Sequence, residues 1–206
     1  MRLFIAIQSS EDQKRELGEL QTRLLPKATR RTADHLTWDP KAGQLVAPSG
    51  IWRPTSSDQL HLTLQFLGND INLHQQEEIR QSLMAIGPRH PPFDMTPTCL
   101  GAFPSPERAN VLWAGMESDA LVRLADDIAA TLLPLGLAND KPFHPHITLA
   151  RSKTAQDVRA LLTPLAGTPW SPKRWMVGEF YLCDSQPILQ GREYVVVERY
   201  GLGLKG

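Results

Sequence analysis

Two short stretches of the chain share one order of residue types: a histidine, an apolar residue, a threonine and a leucine. They are residues 61–64 (HLTL) and 146–149 (HITL). In an extended strand, successive side chains point to opposite faces. Each histidine therefore shares a face with the threonine two positions later, while the apolar residues face a core. The sequence predicts two strands that each present one imidazole and one hydroxyl to a common cleft.

These groups suit chemistry at phosphorus. Breaking a phosphodiester requires one group that removes a proton from the nucleophile and another that protonates the leaving oxygen, and histidine can do either near neutral pH. Residues two apart on a strand are about 6.5 Å apart, so the hydroxyls of Thr63 and Thr148 can contact phosphoryl oxygens beside His61 and His146. Arg151, five positions after His146, adds a fixed positive charge. Spacing alone leaves open which histidine is the acid.

The motifs and their surroundings resemble the two-histidine (2H) phosphoesterases, and more narrowly the RNA 2′,3′-cyclic phosphodiesterases, once called 2′-5′ RNA ligases. The resemblance rests on residues 61–68 (HLTLQFLG), 143–151 (FHPHITLAR), 1–7 (MRLFIAI), 101–106 (GAFPSP) and 111–114 (VLWA). A single His-x-Thr occurs by chance in many proteins, whereas two extended copies in matching context are specific. The matched segments span almost the whole chain.

The resemblance implies an α+β fold of two pseudo-symmetric lobes, each a mostly antiparallel sheet with outer helices, and an active-site groove between them. It implies that His61 is the proton donor and His146 the proton acceptor, and that Thr63, Thr148 and Arg151 bind phosphate. The implied reaction is hydrolysis of RNA 2′,3′-cyclic phosphate ends to 2′-phosphomonoesters, with weak, reversible 2′-5′ RNA ligation at the same site. Neither a metal ion nor a cofactor is expected.

Other functions are compatible with the same motifs. One is a phosphodiesterase for a small cyclic nucleotide or a 2′-5′ oligonucleotide, and another is a non-catalytic binder of RNA ends. The intact histidines argue against a pure binder, because binding alone needs no proton-transfer groups. A zinc site of His61, His144 and His146 is a further alternative. Pro145 and the lack of nearby carboxylates disfavour it.

Two aromatic residues near the motifs, Phe66 and Phe103, raise the question of base stacking, which proteins use to recognise single-stranded RNA. Strict alternation along the first motif strand places Phe66 on the apolar face with Leu62 and Leu64. We therefore expect both phenylalanines to pack in the core.

Composition narrows the choice of partners. The chain of 206 residues has 22 Lys and Arg and 22 Asp and Glu, so its formal net charge is zero and no global positive field holds long nucleic acid. We expect local recognition of RNA ends or short oligonucleotides with a 2′,3′-cyclic phosphate, tRNA halves among them. The two cysteines lie far apart, and no apolar run approaches the roughly 20 residues of a membrane helix. These features favour a cytoplasmic protein without membrane contact. We expect a monomer.

Local patterns predict the elements that position the motifs. The first motif follows a strand at residues 3–7, a helix capped by Ser10 and Gln13, and a long loop at about 26–57. The segment 25–51 is either a substrate lid or an inert excursion. Later elements are helices around 79–86 and 121–132, strands at 93–103 and 111–116, a short helix at 155–162, and closing strands at 174–182 and 193–200. Because the order roughly repeats, we predict one bilobal domain over residues 1–206.

Overall fold

The computed structural model describes residues 1–25, 37–39, 44–46, 52–139, 141–163, 167, 169–189 and 191–203. Most of the predicted loop at 26–57, and of the segment 25–51 expected to be a lid or an excursion, lies outside these ranges. Two short strands and the segment from residue 52 onward are the described parts of it.

The described residues form four α-helices and eleven strands. The helices are α1 (Glu11–Leu24), α2 (Leu73–Leu83), α3 (Asp119–Leu132) and α4 (Arg159–Leu162). The strands are β1 (Leu3–Gln8), β2 (Thr37–Asp39), β3 (Gln44–Val46), β4 (Arg53–Pro54), β5 (His61–Gly68), β6 (Phe93–Phe103), β7 (Ala109–Glu117), β8 (His146–Gln156), β9 (Trp175–Val177), β10 (Glu179–Ile188) and β11 (Gly191–Gly201). No helix within the described ranges has the length and apolarity needed to cross a bilayer.

Nine of these strands make one sheet, in the order β11-β10-β1-β5-β8-β7-β6-β9, with β4 beside β8. All its pairings are antiparallel. The motif strands β5 and β8 meet at its centre through one residue pair, Leu62 with Ile147. The predicted α+β class and the two halves are confirmed. The sheets of the two predicted lobes form one continuous sheet through this pair.

The helices pack against one face of the sheet. The predicted cap of α1 is present, because the Ser10 hydroxyl accepts a hydrogen bond from the Gln13 backbone N–H while the Gln13 side chain accepts one from the Ser10 N–H. Apolar helix residues three and four positions apart join β1 residues in one core: Leu3, Ile5, Leu17, Leu20, Leu24, Ile79, Leu83, Leu121, Leu124, Ile128 and Leu132. Phe4 and Ala6 form a separate small cluster with Cys183. They lie on the opposite face, which carries the motif histidines.

Two predicted elements differ from the structure. β8 continues to Gln156, so the helix expected from residue 155 begins only at Arg159. The strand expected at 174–182 is two strands: β9 pairs with β6, whereas β10 pairs with β1 and β11. The division falls at Gly178, because glycine has no side chain to pack and weakens a strand in its interior. The apolar pattern of a segment does not show with which strands its two parts will pair.

Candidate active site

The motif histidines and threonines lie on the sheet face opposite the helices. Leu62 and Ile147, which join β5 to β8, are both buried in the core that the helices share. Because side chains alternate along a strand, the residues flanking this pair point to the other face. The structure therefore brings together the half-buried side chains of His61, Thr63, His146 and Thr148.

A β-bulge occurs at the same point of each motif strand. The pairing of β5 with β1 skips Leu64, and the pairing of β8 with β7 skips Leu149. An extra residue shifts the alternation by one position, so the residue three after each threonine returns to the histidine face. These residues are Phe66 and Arg151. Accordingly, β5 and β8 show the same succession of half-buried, buried and exposed residues over their first seven positions.

A backbone carbonyl two residues earlier in the chain fixes each imidazole. His61 Nδ1 lies 2.7 Å from the carbonyl oxygen of Gln59, and His146 Nδ1 lies 2.6 Å from that of His144. A carbonyl oxygen only accepts, so Nδ1 carries the proton in each neutral ring, and Nε2 is the atom that takes up or releases a proton. His61 Nε2 lies 3.0 Å from the Thr63 hydroxyl. Each motif strand thus holds its imidazole by the same kind of hydrogen bond at Nδ1.

Burial lowers the pKa of both imidazoles below its ordinary value of 6.5. The carbonyl hydrogen bonds raise the pKa of each ring but do not offset burial. Positive charge on His144 and on Arg151 lowers the pKa of His146, and positive charge on Arg151 and on His146 lowers that of His61. Because both pKa values lie below 6.5, both rings are mainly neutral at pH 7.

Two arginines add positive charge to this face. Arg151 Nη2 lies 3.4 Å from Thr148 Oγ1, and Arg151 is paired across the sheet with Arg53 of β4 and with Val111 of β7. Directly opposite residues in an antiparallel pair project to the same side, with Cβ atoms about 4.5–5.5 Å apart. Both arginines are exposed, and neither forms an ion pair with a carboxylate of the described residues. Two adjacent positive charges favour the binding of an anion between them.

Aromatic rings contact His61 from β1 and β11. The ring centroids of Phe4 and Tyr194 each lie 5.1 Å from that of His61, with Tyr194 edge-on. All three residues line a small cleft of about 30 Å³. The Gln59 side chain donates a hydrogen bond to the Arg192 carbonyl on β11. Gln59, whose carbonyl contacts His61 Nδ1, is therefore also bonded to the strand that carries Tyr194. The motifs do not point to Phe4 or Tyr194, because both fit ordinary strand patterns.

Trp113 and Phe103 pack beside His146. The Phe103 ring centroid lies 5.0 Å from that of His146, and the Trp113 ring lies 6.2 Å from His146 and 4.8 Å from His144. The Trp113 indole covers Gly101, its partner on β6, and a Cβ at Gly101 would lie 2.1 Å from the indole. A glycine inside a strand is typical of such a close approach. Gly101 is thus the sequence signal for the packing of Trp113 beside His146.

A cavity of about 550 Å³ opens beside His146 and Thr63. Its lining includes aromatic rings, amides and a lysine: Phe66, Phe103, Phe143, Asn110, Asn139 and Lys141. Phe66 is 45% exposed, so the prediction that it packs in the core is wrong. The bulge at Leu64 explains the difference, because it turns Phe66 onto the histidine face. Phe103 is half-buried and also lies in the cavity wall.

The geometry does not support the zinc alternative. Across the ranges that the structure describes, no three His, Cys, Asp or Glu side chains are grouped so that they could hold a metal ion. The ring centroids of His144 and His146 are 5.9 Å apart, and His146 Nδ1 is engaged by the His144 carbonyl.

Comparisons with known proteins show the family to which the chain belongs. A family model described as the 2′-5′ RNA ligase superfamily matches residues 53–186, which contain both motif strands. An RNA 2′,3′-cyclic phosphodiesterase of Thermus thermophilus is 31% identical over 98% of this chain and 90% of its own length. One from Escherichia coli is 33% identical over 75% of this chain and 82% of its own length. The crystal structure of E. coli LigT complexed with 3′-AMP covers 98% of this chain and 97% of LigT, with a TM-score of 0.72 and 26% identity. The chain belongs to the 2′-5′ RNA ligase superfamily.

Proposed function

We propose that this protein hydrolyses 2′,3′-cyclic phosphates at RNA ends to 2′-phosphomonoesters by two-histidine acid–base catalysis. The observation that carries the proposal is the convergence of two imidazoles, one from each half, on one face of the sheet beside Arg151. The named activity of the Thermus and Escherichia relatives supports the choice of substrate.

In the proposed reaction, His146 Nε2 takes a proton from the attacking water while the His61 Nε2–H protonates the ribose 3′-oxygen as its bond to phosphorus breaks. Thr63, Thr148 and Arg151 bind the phosphoryl oxygens, where negative charge increases in the transition state. The carbonyl hydrogen bonds at both Nδ1 atoms hold the rings in place, so little reorientation is needed before proton transfer.

Ligation follows from the same step when a 5′-hydroxyl replaces water, since the product is then a 2′-5′ linkage. The strained cyclic ester is its only energy source, so we expect weak and reversible joining. tRNA halves are suitable partners because they supply both kinds of end. We place this activity in one bilobal domain over residues 1–206, acting as a monomer in the cytoplasm, and the continuous sheet supports the single domain.

The proposal is tested by incubating the protein with a short oligonucleotide that ends in a 2′,3′-cyclic phosphate. We expect turnover to a 2′-phosphate, identified by chromatography against 2′- and 3′-phosphate standards. Tight binding without product would favour the non-catalytic binder. Faster turnover of a cyclic mononucleotide or a 2′-5′ oligonucleotide than of RNA ends would favour the small-molecule enzyme.

The pH dependence of kcat/KM is expected to be bell-shaped, with its optimum below pH 6.5. Catalysis requires one histidine neutral and the other protonated, and burial lowers the pKa of both in the free protein. As the pH rises through these lowered pKa values the acid loses its proton, and as the pH falls below them the base becomes protonated. The two apparent pKa values belong to the pair. A bound phosphodiester anion raises both, so kcat should peak at higher pH.

The pH prediction is checked with steady-state rates between about pH 5 and pH 9 under conditions where the chemical step is rate limiting. A flat kcat/KM profile would contradict it, as would an optimum above pH 6.5. The His74→Ala variant should retain the wild-type profile, because His74 lies exposed on α2 and is paired with Glu78.

Arg53→Gln is expected to weaken the binding of inorganic phosphate by about 2- to 10-fold, equivalent to roughly 0.5–1.5 kcal/mol for one hydrogen bond. The reason is that Arg53 lies directly opposite Arg151, and an anion between them relieves their repulsion. The measurement is the rise in melting temperature on adding phosphate. Arg123→Gln removes an exposed arginine from α3 and serves as the control. An equal phosphate effect in both variants would contradict a role for Arg53.

A further inference from the structure

We propose that Tyr194 is a positioning residue for His61: its ring, which β11 carries to the histidine face, holds the imidazole in the orientation that proton transfer needs. This inference rests on the proposed function, in which the His61 Nε2–H protonates the leaving oxygen. It assigns a part in the reaction to the last strand of the chain, far in sequence from either motif.

The hydrogen bonds of the His61 imidazole leave one of its motions free. Nδ1 is bonded to the Gln59 carbonyl oxygen at 2.7 Å, but the χ2 torsion of a histidine is broad, so the ring can still tilt about this bond. Nε2 lies 3.0 Å from Thr63 Oγ1, and this contact is given up when Nε2 delivers its proton to the ribose oxygen. Contacts on the sides of the ring must therefore limit its tilt during the reaction.

Two aromatic rings provide these contacts. The ring centroids of His61, Phe4 and Tyr194 lie 5.0–5.1 Å apart in all three pairs, and the plane of the Tyr194 ring is at 89° to the imidazole. Edge-to-face pairs at such distances are favourable. Phe4 is buried whereas Tyr194 is half-buried, so Tyr194 is the outer of the two rings. Without it, one side of the imidazole has no aromatic neighbour on β11.

The start of β11 curves over the histidine face to reach His61. β10 and β1 lie between β11 and β5 in the sheet, and neighbouring strands are about 4.8 Å apart, so a flat sheet would separate β11 from β5 by about 14 Å. The pairing of β11 with β10 skips Val197, and such a β-bulge bends the strand that contains it. The bulge explains how a strand at the edge of the sheet places the Tyr194 ring beside a histidine of a central strand.

Hydrogen bonds fix this end of β11. The Arg192 guanidinium donates to the hydroxyl oxygen of Ser185 at 2.6 Å and to its carbonyl oxygen at 2.5 Å, and Ser185 is the partner of Tyr194 on β10. The Arg192 carbonyl accepts a hydrogen bond from the Gln59 side chain. Because the Gln59 carbonyl contacts His61 Nδ1, this segment of β11 is connected to the imidazole through Gln59 as well as through the Tyr194 ring. Two points of connection suit a segment that orients a ring.

The test is single-turnover hydrolysis of an oligonucleotide that ends in a 2′,3′-cyclic phosphate, with the maximal rate constant and the half-saturating protein concentration measured separately. Tyr194→Leu is expected to lower the rate constant by about 10- to 100-fold, up to the loss that roughly 1 Å of misplacement causes, and to leave the half-saturating concentration unchanged. Tyr194→Phe should recover most of the rate, because the contact is between the rings. Tyr181→Leu removes a tyrosine that packs on the same small cluster as Tyr194 and should keep the wild-type rate.

A double-mutant cycle distinguishes positioning from a general disturbance of the fold. A His61→Ala protein has no imidazole to hold, so adding Tyr194→Leu to it should lower the rate by no more than about 2-fold, the usual scatter between independent effects. A wild-type rate in folded Tyr194→Leu would overturn the positioning role alone, as would an equal loss in Tyr181→Leu or an undiminished loss in the His61→Ala protein. If the wild-type protein did not turn over the oligonucleotide, the proposed function would fail and the positioning role with it.

Discussion

Replacing either His61 or His146 by alanine is expected to reduce kcat on a cyclic-ended oligonucleotide by about 10²–10⁴-fold, the usual contribution of one positioned proton-transfer group. Both losses should be large because the same kind of hydrogen bond at Nδ1 holds each ring, and in the proposed reaction the two Nε2 atoms act on opposite sides of the phosphorus. The measurement is single-turnover hydrolysis at saturating protein, which reports the chemical step.

The double variant and a control make this prediction specific. Since the histidines act as a unit, removing both should cost much less than the product of the single losses. His74→Ala should keep wild-type activity, because His74 is exposed on α2 and outside the groove. A correctly folded His61→Ala or His146→Ala protein with the wild-type rate would contradict the proposed reaction.

Gly101→Ala is expected to reduce kcat by about 10²-fold, the loss that roughly 1 Å of misplacement at an active site can cause. A Cβ at Gly101 would lie 2.1 Å from the Trp113 indole, so the indole must move. Trp113 packs against His144 and His146, and the His144 carbonyl accepts a hydrogen bond from the His146 ring. We also expect a loss of about 1–3 kcal/mol in the free energy of unfolding, as for other overpacked cores.

Two further variants separate displacement of the tryptophan from a general loss of stability. Gly18→Ala adds a methyl group on α1, where it would meet nothing within 4 Å, and should keep full activity. Combining Gly101→Ala with Trp113→Phe should restore stability, because a smaller ring leaves room for the methyl group. A Gly101→Ala protein with the wild-type kcat would show that the packing of Trp113 on Gly101 does not position His146.

Local signals predicted much of the fold. The repeated HLTL and HITL motifs lie on the two central strands, and Ser10 with Gln13 caps the first helix. These features depend on residues close in sequence, where alternation, helical spacing and capping act. Strand partners depend on distant segments, so the sequence did not show that the run at 174–182 divides between opposite ends of the sheet.

The two β-bulges explain why the sequence did not predict all of the candidate site. Strict alternation places Phe66 on the core face, and by the same rule would place Arg151 away from His146. One extra residue in each strand, Leu64 and Leu149, returns both side chains to the groove. Arg53 could not be assigned from sequence either, because its significance comes from pairing with a strand almost 100 positions later.

The most direct test of two-sided proton transfer uses an oligonucleotide whose cyclic phosphate has sulfur in place of the 3′-oxygen. A thiolate leaves without protonation, so a missing general acid matters little, whereas a missing base still matters. We expect the sulfur substrate to restore most of the rate lost in His61→Ala and little of that lost in His146→Ala. Recovery in His146→Ala alone would reverse the two roles. Recovery in both variants, or in neither, would contradict a division of acid and base between the two halves.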